Sequence, residues 1–255
     1  MDRGEGRDGG VVRPQRADLT VFGAHAVMEA LEGGRSVRVV YLKKGKRDAQ
    51  TDRVTELCRA QNVTIHWTGA DFFRQENRHH WVAAQISVAT IFDEDTLLEK
   101  AEGGPLLLLH KINDPRNVGA VLRSACGLGF QCVGITVHET APLSETVYET
   151  SAGAVSHLTL GSVPNAAAFM KKAKAAGYWI YGATMEGEPV RNVKFDPKTL
   201  LVMGSEGKGL SDYLKQECDF LVGIPMKGRI ESLNVSAAAA ILLFEIGRIL
   251  PGAGI

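Results

Sequence analysis

Hydrophobic positions recur along this chain with two periods, one typical of helices and one typical of strands. In the first third, Val27, Ala30 and Leu31 share one helical face, and Gly33-Gly34 ends the pattern, which predicts a helix stopped by glycine. Four more segments carry the same kind of signal: VRVVYLKK, VTIHW and VAAQISVAT as strands, and DRVTELCRAQ as a helix. Residues 17–90 are therefore predicted to form a small α/β module.

From Pro105 onward the pattern becomes strand, loop and helix in repeated order. The run LLLLH is continuously apolar, as in a parallel strand buried on both faces. The same alternation continues to the end: NVGAVLRSACGLG (helix), QCVGITV (strand), NAAAFMKKAKAAG (helix), YWIYGAT (strand), TLLVM (strand), FLVGIP (strand) and SLNVSAAAAILLFEIGRIL (helix). Residues 105–255 are predicted to form an α/β domain whose parallel sheet carries helices on both faces.

Two further segments differ in composition from these domains. Residues 1–16 are rich in Gly and Arg with almost no large apolar side chain, so we predict a disordered tail. The tail either contacts RNA through its charge or is simply solvated. Residues 91–104 are acidic and then Gly-rich, which favours a linker.

Bulk composition excludes several classes of protein. Lys and Arg balance Asp and Glu at 29 each, which argues against a general polyanion binder but leaves local basic patches possible. No apolar run reaches the roughly 18 residues of a membrane span, and the N-terminus lacks the apolar core of a secretory signal. The four cysteines form no CxxC pair, so we expect no zinc site and a reduced, cytoplasmic protein.

The first candidate for chemistry is KINDPRNVGAVLRSA, residues 111–125. Asp114-Pro115 makes a turn at the carboxyl end of a buried strand, where ligands bind in open α/β sheets. Asn117 is predicted to cap the following helix, and Gly119 allows a close backbone approach. Arg123 falls inside that helix. If it faces inward it needs an anionic partner such as an RNA phosphate; the alternative is a surface arginine on a capped helix.

The second candidate is GSEGKGL, residues 204–210, directly after a predicted strand. It is not a Walker A loop, because Gly207-Lys208 is followed by Gly209 and not by Ser or Thr, and its spacing does not match GxGxxG. What remains is a loop whose amides can approach a ligand, with Glu206 in its middle. A carboxylate there suits a cationic or amine-bearing ligand; the alternative is a tight turn.

The third candidate is IPMKGRIESLNVS, residues 224–236. Pro225 ends a strand, and a basic stretch follows it. Ser232 and Asn234 then open a helix rich in alanine, whose small side chains permit close packing against a backbone, a ligand or a second subunit. The alternative is an ordinary capped helix.

In this order the three segments resemble the motifs NxxGAxxRxA, GxExxG and IPMxGxxxSLNVS of the SpoU/TrmH family of RNA ribose 2′-O-methyltransferases. The N-terminal module, which opens with VFGAHAVMEAL and continues with YLKKGKRD, is similar to the substrate-binding domain of the RlmB-like subfamily, which methylates a guanosine of large-subunit ribosomal RNA. The resemblance covers nearly everything after the predicted tail. It implies S-adenosylmethionine as cofactor, RNA as substrate and a homodimer whose site is completed across the interface.

The family also implies a fold and a set of contacts. The catalytic domain is expected to be a SPOUT-type α/β knot, with the C-terminal segment threaded through a loop. Matched residue by residue, Gly204, Ile224 and Leu233 contact S-adenosylmethionine, with Met226 and Gly207 nearby. No metal is expected.

By the same resemblance, Arg123 is the proposed catalytic residue. A guanidinium is normally never deprotonated, so two roles stay open: a base, or a clamp on the target phosphate that polarises the hydroxyl, which we favour. Ser232, Asn234 and Asn117 would hold that geometry, and Glu206 is an acceptor or an orienting group.

Substrate RNA is expected to contact the N-terminal module. Six basic residues occur there without an intervening acid: Arg35, Arg38, Lys43, Lys44, Lys46 and Arg47. They either bind RNA phosphates or form a solvated face. Where the family often has His-Gln-Gly, this chain has His80, Trp81 and Val82, which leaves the recognised nucleotide open. His79 and His80 are interpreted as loop histidines and not as metal ligands.

Two rival functions follow from the same residues. A transfer-RNA ribose methyltransferase keeps the fold, but such members generally recognise substrate without the N-terminal module. A catalytically silent RNA-binding assembly factor would predict broken motifs, whereas Arg123, Glu206, Ser232 and Asn234 are all present.

Overall fold

The computed structural model describes residues 11–12, 19–33, 37–74, 80–87, 89–207, 209–229 and 232–248. The N-terminal elements are β1 (Val11–Val12), β2 (Leu19–Phe22), α1 (Ala24–Glu32), β3 (Val37–Lys43), α2 (Ala49–Ala60), β4 (Thr64–Thr68), α3 (Ala70–Arg74) and β5 (Val82–Ile86). The elements that follow are β6 (Ile91–Phe92), α4 (Glu94–Lys100), β7 (Leu106–Leu109), α5 (Pro115–Gly127), β8 (Cys132–Thr136), α6 (Glu145–Thr150), β9 (Thr159–Val163), α7 (Ala166–Ala175), β10 (Trp179–Pro189), β11 (Thr199–Met203), α8 (Asp212–Glu217), β12 (Phe220–Gly223) and α9 (Val235–Gly247).

The smaller sheet has the strand order β2-β5-β3-β4. Strand β5 pairs antiparallel with both β2 and β3, and β3 pairs parallel with β4. Helix α1 covers the sheet through Val27, Ala30 and Leu31, all buried, and ends at Gly33. The predicted helix and its glycine stop are confirmed, but Val21 and Phe22, the first residues of the segment assigned to that helix, belong to β2. Helix α3 lies in a stretch where no element was predicted.

The larger sheet has the order β1-β6-β9-β8-β7-β11-β10-β12, and all its strands except β1 pair in parallel. Strand β7 is central and fully buried, as its apolar run predicts. Leu106 and Leu108 pack towards α4, α7 and α8, whereas Leu107 and Leu109 pack towards α5 and α9. Helices on both faces of a parallel sheet are therefore confirmed.

The order of strands reverses beside β7, because β8 and β9 lie on one side of it and β11, β10 and β12 on the other. The carboxyl ends of strands next to such a reversal are where open α/β sheets bind ligands. The threading of the C-terminal segment through a loop stays a prediction.

The linker predicted for residues 91–104 is wrong. Residues 91–92 form β6, and the acidic stretch forms α4, whose N-cap Asp93 accepts a hydrogen bond from the Thr96 amide at 2.8 Å. Leu97 is fully buried against the sheet. The carboxylates of Glu94 and Asp95 lie in the first turn, where their negative charge interacts favourably with the positive end of the helix dipole. The acidic composition here is therefore that of a helix N-terminus.

The tail predicted for residues 1–16 lies outside the described residues apart from Val11–Val12. These two pair antiparallel with β6 as an edge strand, so the prediction of disorder is wrong for them. β-Branched residues favour such a position. Within the described residues, no helix has the length and apolar character needed to cross a membrane.

Candidate active site

A cavity of about 250 Å³ opens at the carboxyl ends of β10, β11 and β12. Its walls are the irregular middle of β10, the loops after β11 and β12, and the first turns of α9. The predicted cofactor contacts all line it: Gly204, Gly207, Ile224, Met226 and Leu233. Three of the predicted catalytic residues line it too: Glu206, Ser232 and Asn234. The structure thus brings together two of the three sequence motifs directly at one cavity.

The loop after β11 folds back on itself. The Ser205 amide donates to the Gly209 carbonyl at 3.1 Å, and the Gly209 amide returns a hydrogen bond to the Ser205 carbonyl at 2.9 Å. Gly207 and Gly209 have φ angles of 80° and 62°, which favour glycine. A Cβ on Gly204 would lie 2.6 Å from the Leu210 nitrogen. The glycines therefore make a tight turn that presents Glu206.

The first motif joins the other two through a chain of hydrogen bonds. Asn117, which is buried, donates its side-chain amide to the Glu206 carboxylate. Asn234 donates to the Asn117 side-chain oxygen at 3.1 Å, and its own oxygen accepts from the Ser236 amide at 2.8 Å. A carboxylate that accepts a hydrogen bond is held in one orientation. The chain therefore fixes Glu206 at the rim of the cavity.

The predicted capping role of Asn117 is wrong. The N-cap of α5 is Asp114, whose carboxylate accepts from the Arg116 amide at 2.8 Å, and Pro115 occupies the first helical position. Because the cap is already supplied, the Asn117 side chain is free to turn inward towards Glu206. The helix-opening role predicted for Asn234 is confirmed, since it caps α9.

Arg123 lies on α5 as predicted, but its side chain is exposed and does not line the cavity. Among the described residues it makes no ion pair. It shares a helix face with Gly119 and Cys126. Gly119 packs directly against Thr150. At the other end of this face, burial raises the pKa of the Cys126 thiol and the charge of Glu29 raises it further, so α1 is close by. Arg123 therefore lies on the face of α5 that runs from the contact with α6 towards α1, and its side chain is exposed there.

Sequence reasoning missed the irregular middle of β10, where the register with β12 shifts between Ala183 and Glu188. Ala183, Thr184, Met185 and Glu186 line the cavity, and Lys215 of α8 joins them. The signal that could have found them is position, because the pairing of β10 with β11 ends at Gly182 and the residues that follow reach the same edge of the sheet. The Thr184 hydroxyl is buried and has no partner among the described residues, as expected of a group that a ligand satisfies.

The chemistry of the walls fits S-adenosylmethionine. Met203, Val222 and Leu242 supply apolar surface for the adenine base, and Glu186 and Glu206 supply carboxylates for a cationic ligand with an α-amine. The mixture of apolar walls and a few polar groups is typical of cofactor sites. Among the described residues, no group of three or more His, Cys, Asp and Glu is placed to hold a metal ion.

The predicted RNA-binding residues lie apart from this cavity, on the small module. Arg38, Lys44 and Arg47 are exposed, and Lys43 ends β3. Lys46 is already engaged: its ammonium lies 3.5 Å from the Asp48 carboxylate and 4.6 Å from the centre of the Trp81 ring. Arg35 and His79 lie outside the described residues, and His80 is exposed.

Comparison with known proteins decides the family. Residues 105–244 match the SpoU rRNA Methylase family, and residues 20–74 match the module for RNA 2′-O ribose methyltransferase substrate binding. The chain belongs to the SpoU rRNA methylase family. The family predicted from the three motifs is thereby confirmed, and with it the class of enzyme, an RNA 2′-O-ribose methyltransferase of a family that uses S-adenosylmethionine.

Relatives within the SpoU family match over nearly the whole chain. The 23S rRNA (guanosine-2′-O-)-methyltransferase RlmB of Pseudomonas aeruginosa is 35% identical over 236 residues, which cover 89% of this chain and 95% of that protein. A Bacillus subtilis protein named for the TrmH family of tRNA/rRNA methyltransferases is 32% identical, over 89% of this chain and 94% of its own length.

Solved structures of the family share the fold. The SpoU methyltransferase AviRb of Streptomyces viridochromogenes superposes with a TM-score of 0.76 at 25% identity, over 91% of this chain and 89% of AviRb. A second structure of AviRb, in complex with the cofactor AdoMet, gives a TM-score of 0.73. The predicted α/β architecture with a small N-terminal domain is confirmed.

Proposed function

We propose that this chain binds S-adenosylmethionine in the cavity at the ends of β10, β11 and β12 and methylates a guanosine 2′-hydroxyl in large-subunit ribosomal RNA. One observation carries the proposal. The hydrogen bonds from Asn234 to Asn117 and from Asn117 to Glu206 join three distant segments at the rim of one cavity. A catalytically silent RNA-binding factor has no need of such a fixed carboxylate beside a cofactor-sized cavity.

The chemistry needs an activated methyl group, which bound S-adenosylmethionine supplies as a sulfonium. Once bound, the cofactor would supply this methyl group to the ribose 2′-oxygen, and an acceptor would have to receive the hydroxyl proton. The protein's contribution is to hold the oxygen in line and to receive or stabilise charge. Asn117 fixes one oxygen of Glu206, which leaves the other for the hydroxyl proton or for a cationic group of the ligand.

The exposed position of Arg123 supports the phosphate clamp over the base. A base must lie within hydrogen-bond reach of the proton it removes, and Arg123 does not line the cavity. An exposed guanidinium without an ion pair among the described residues is able to bind an incoming phosphate with two parallel hydrogen bonds.

Ribosomal RNA is favoured by the N-terminal module. Residues 20–74 match the substrate-binding family, and RlmB, a 23S rRNA guanosine methyltransferase, matches over almost the whole chain. Transfer RNA stays the second candidate, because other relatives carry both RNAs in their names. The basic cluster, with Arg38, Lys43, Lys44, Lys46, Arg47 and Arg35, is proposed to bind RNA phosphates in either case.

A homodimer is proposed from helix α9. Its exposed face carries Ile241 and Phe244, which are 39% and 42% exposed. The inner face of the helix is buried in the core of its own chain through Val235, Ala239, Leu242, Leu243 and Ile246, so α9 carries apolar side chains on its inner and its outer face. Large apolar side chains on the outer face of a core helix favour a second copy as their partner. Because α9 also begins at the cavity, a partner there would complete the site.

Two measurements test this function. Calorimetry with the full chain should show S-adenosylmethionine binding that a chelator leaves unchanged, and Glu206→Gln should weaken it. Mass-spectrometric mapping of ribose methylation should then show one guanosine of large-subunit RNA losing its methyl group in cells without the protein. Loss of a transfer-RNA methylation instead would establish the second candidate, and an unchanged map of both RNAs would refute the enzyme's assignment to either.

A further inference from the structure

Two oppositely charged side chains meet at the opening of the proposed cofactor cavity, which lies at the ends of β10, β11 and β12. Glu186 lines this cavity from the irregular middle of β10, and Lys215 lines it from α8. The Lys215 ammonium lies 3.9 Å from the Glu186 carboxylate. The Glu186 side chain is 85% exposed and that of Lys215 is 28% exposed, so the pair lies between the cavity and solvent.

The two charged groups keep capacity for a ligand. Their separation of 3.9 Å exceeds the length of a hydrogen bond between charged groups, about 2.7–2.9 Å. Lys215 also lies 3.6 Å from the Asp212 carboxylate, whose side chain is almost fully exposed one turn earlier on α8. Exposed ion pairs of this kind contribute little to stability. Because an ammonium has three donors and a carboxylate has two acceptor oxygens, each group can bind a ligand and stay near the other.

The backbone that carries Glu186 is held against β12. The register between β10 and β12 shifts at this point, so the chain bulges here. A Cβ on Gly187 would overlap the Val222 backbone, and one on Gly223 would lie 2.8 Å from the Thr184 carbonyl oxygen. Glycine at both positions lets the bulge pack directly on the neighbouring strand. The bulge therefore presents Glu186 from a defined position.

The same wall of the cavity carries a hydroxyl that lacks a partner. Thr184 lines the cavity two residues before Glu186, and its buried side-chain oxygen has no hydrogen-bond partner among the described residues. Such a group costs free energy until a ligand bonds to it. Met203, Val222 and Leu242 line the cavity with apolar surface. The polar part of a ligand is therefore expected at the bulge, and its apolar part deeper in the cavity.

One part of S-adenosylmethionine matches the two charges. Its α-amino-acid group carries an ammonium and a carboxylate on one carbon atom, and its adenosine carries neither. A protein carboxylate binds the ammonium and a protein ammonium binds the carboxylate, each with a strong hydrogen bond. A doubly charged group also loses least hydration at the opening of a cavity. The adenine base, which is mostly apolar surface, suits the deeper walls.

Glu206 lies on a different part of the rim. Its carboxylate accepts a hydrogen bond from Asn117, and Asn117 in turn accepts one from Asn234. These three residues come from the three sequence motifs, so Glu206 belongs with the groups proposed to act on the ribose. If Glu186 binds the cofactor's ammonium, Glu206 stays available for the sulfonium or the hydroxyl proton.

We propose that Glu186 and Lys215 together bind the α-amino-acid group of S-adenosylmethionine, Glu186 through its ammonium and Lys215 through its carboxylate. The proposal rests on the function proposed above, since it takes this cavity to be the cofactor site. The pair then determines specificity, because adenosine compounds that carry the amino-acid group bind more tightly than those that lack it.

Calorimetry of the full chain with three adenosine compounds tests this pair. S-Adenosylhomocysteine has the whole amino-acid group, its decarboxylated form keeps only the amine, and 5′-methylthioadenosine lacks both charges. The parent chain should bind S-adenosylhomocysteine about tenfold more tightly than the decarboxylated form. It should bind the decarboxylated form about tenfold more tightly than methylthioadenosine, since each step loses one hydrogen bond between charged groups.

Each substitution should remove one of these two preferences. Lys215→Met should abolish the preference for S-adenosylhomocysteine over its decarboxylated form, and Glu186→Gln should abolish the preference for that form over methylthioadenosine. Both variants should bind methylthioadenosine as the parent does, which reports a folded chain with an intact adenosine site. Lys171→Met and Glu188→Gln make the same changes of charge outside the cavity and should preserve all three affinities.

Three results would overturn the proposal. The first is equal affinity of the parent chain for S-adenosylhomocysteine and methylthioadenosine. The second is weaker methylthioadenosine binding by either variant, because the pair would then hold the ribose or the wall of the cavity. The third is loss of the preference for the amine in Glu206→Gln and not in Glu186→Gln, which would place the ammonium at Glu206.

These outcomes are separable from failure of the proposed function. If S-adenosylmethionine and the three compounds all fail to bind the parent chain, the proposed cofactor site itself is wrong. If they bind but the Glu186 and Lys215 variants keep the preferences of the parent, the cofactor site stands and the role of the pair is wrong.

Discussion

At the scale of single residues, the candidate site contains side chains that hydrogen bonds hold within the fold and one side chain, Arg123, whose proposed partner is the substrate RNA. Asn117 and Glu206 are held by hydrogen bonds at the rim of the cofactor cavity, and Asn234 continues the chain. Arg123 is exposed and has no ion pair among the described residues. An interaction that exists only when substrate is bound contributes to turnover without contributing to folding.

Arg123→Ala should therefore leave the free energy of unfolding and the affinity for S-adenosylmethionine almost unchanged. Turnover on RNA should fall by about a hundredfold or more, the scale of losing one positioned catalytic group. Arg123→Lys keeps the charge but loses the planar fork of donors and should rescue little. Single-turnover kinetics and RNA affinity, measured together, separate the roles, because a clamp weakens RNA binding and a base does not.

Arg116→Ala is the matched control, since Arg116 is exposed on the first turn of the same helix. Near-normal methylation by both Arg123 variants would mean that Arg123 has no catalytic role and is an ordinary surface arginine on a capped helix.

At the scale of elements, the close contact of α5 with α6 decides where the first motif lies. A Cβ on Gly119 would overlap the Thr150 hydroxyl and come within 2.8 Å of the Val147 carbonyl oxygen. Only glycine allows the two helices to approach this closely. The same helix α5 carries Asn117, which donates a hydrogen bond to Glu206.

Gly119→Ala should destabilise the chain by about 1–3 kcal/mol, because the added methyl group must push α6 away. Gly127→Ala, in the same helix but with no neighbour within 4 Å, should be neutral or stabilising by up to about 1 kcal/mol. Denaturant unfolding of the two variants measures both effects. Equal free energies of unfolding for the two variants would mean that α6 can move away from the added methyl group at no cost. The close contact would then have no structural role.

At the scale of the whole molecule, two sheets share one apolar core. Residues of α1 and β3 belong to the same buried cluster as residues of α5, α6 and α9. The Tyr148 hydroxyl accepts a hydrogen bond from the Ala89 amide at 2.7 Å, and the Glu29 carboxylate lies 3.2 Å from the His157 ring nitrogen. The module and the catalytic domain are thus joined by buried and polar contacts, while the outer face of α9 stays exposed.

Phe244→Glu should convert the proposed dimer to a monomer, because burying a charged side chain in an interface carries a large desolvation free energy. Analytical ultracentrifugation should report the mass of a single chain, and methylation should fall with it. Val137→Glu is the control, since Val137 is also an exposed apolar residue but lies after β8, away from α9. A parent chain that sediments as a monomer would overturn the dimer.

The sequence by itself determined the elements that local periodicity encodes. The apolar run of β7, the glycine stop after α1 and the cap at Asn234 all depend on neighbours a few residues away. The predicted cofactor contacts depend on the resemblance to the SpoU/TrmH motifs, and two of these motifs follow buried strands, so their loops emerge at the carboxyl edge of the sheet where ligands bind.

Only the tertiary structure decided which distant residues meet. Asn117 bonds to Glu206, 89 positions away, and Asn234 bonds back to Asn117 across 117 positions. Nothing in the spacing of a sequence specifies strand order, so the sequence could not predict which strands lie side by side at the cofactor cavity. Composition misled for residues 91–104, because burial of Leu97 and a cap at Asp93 turn an acidic stretch into a helix. Local periodicity indicates which face of a helix or strand is buried, whereas the packing of the whole chain decides which other element covers that face.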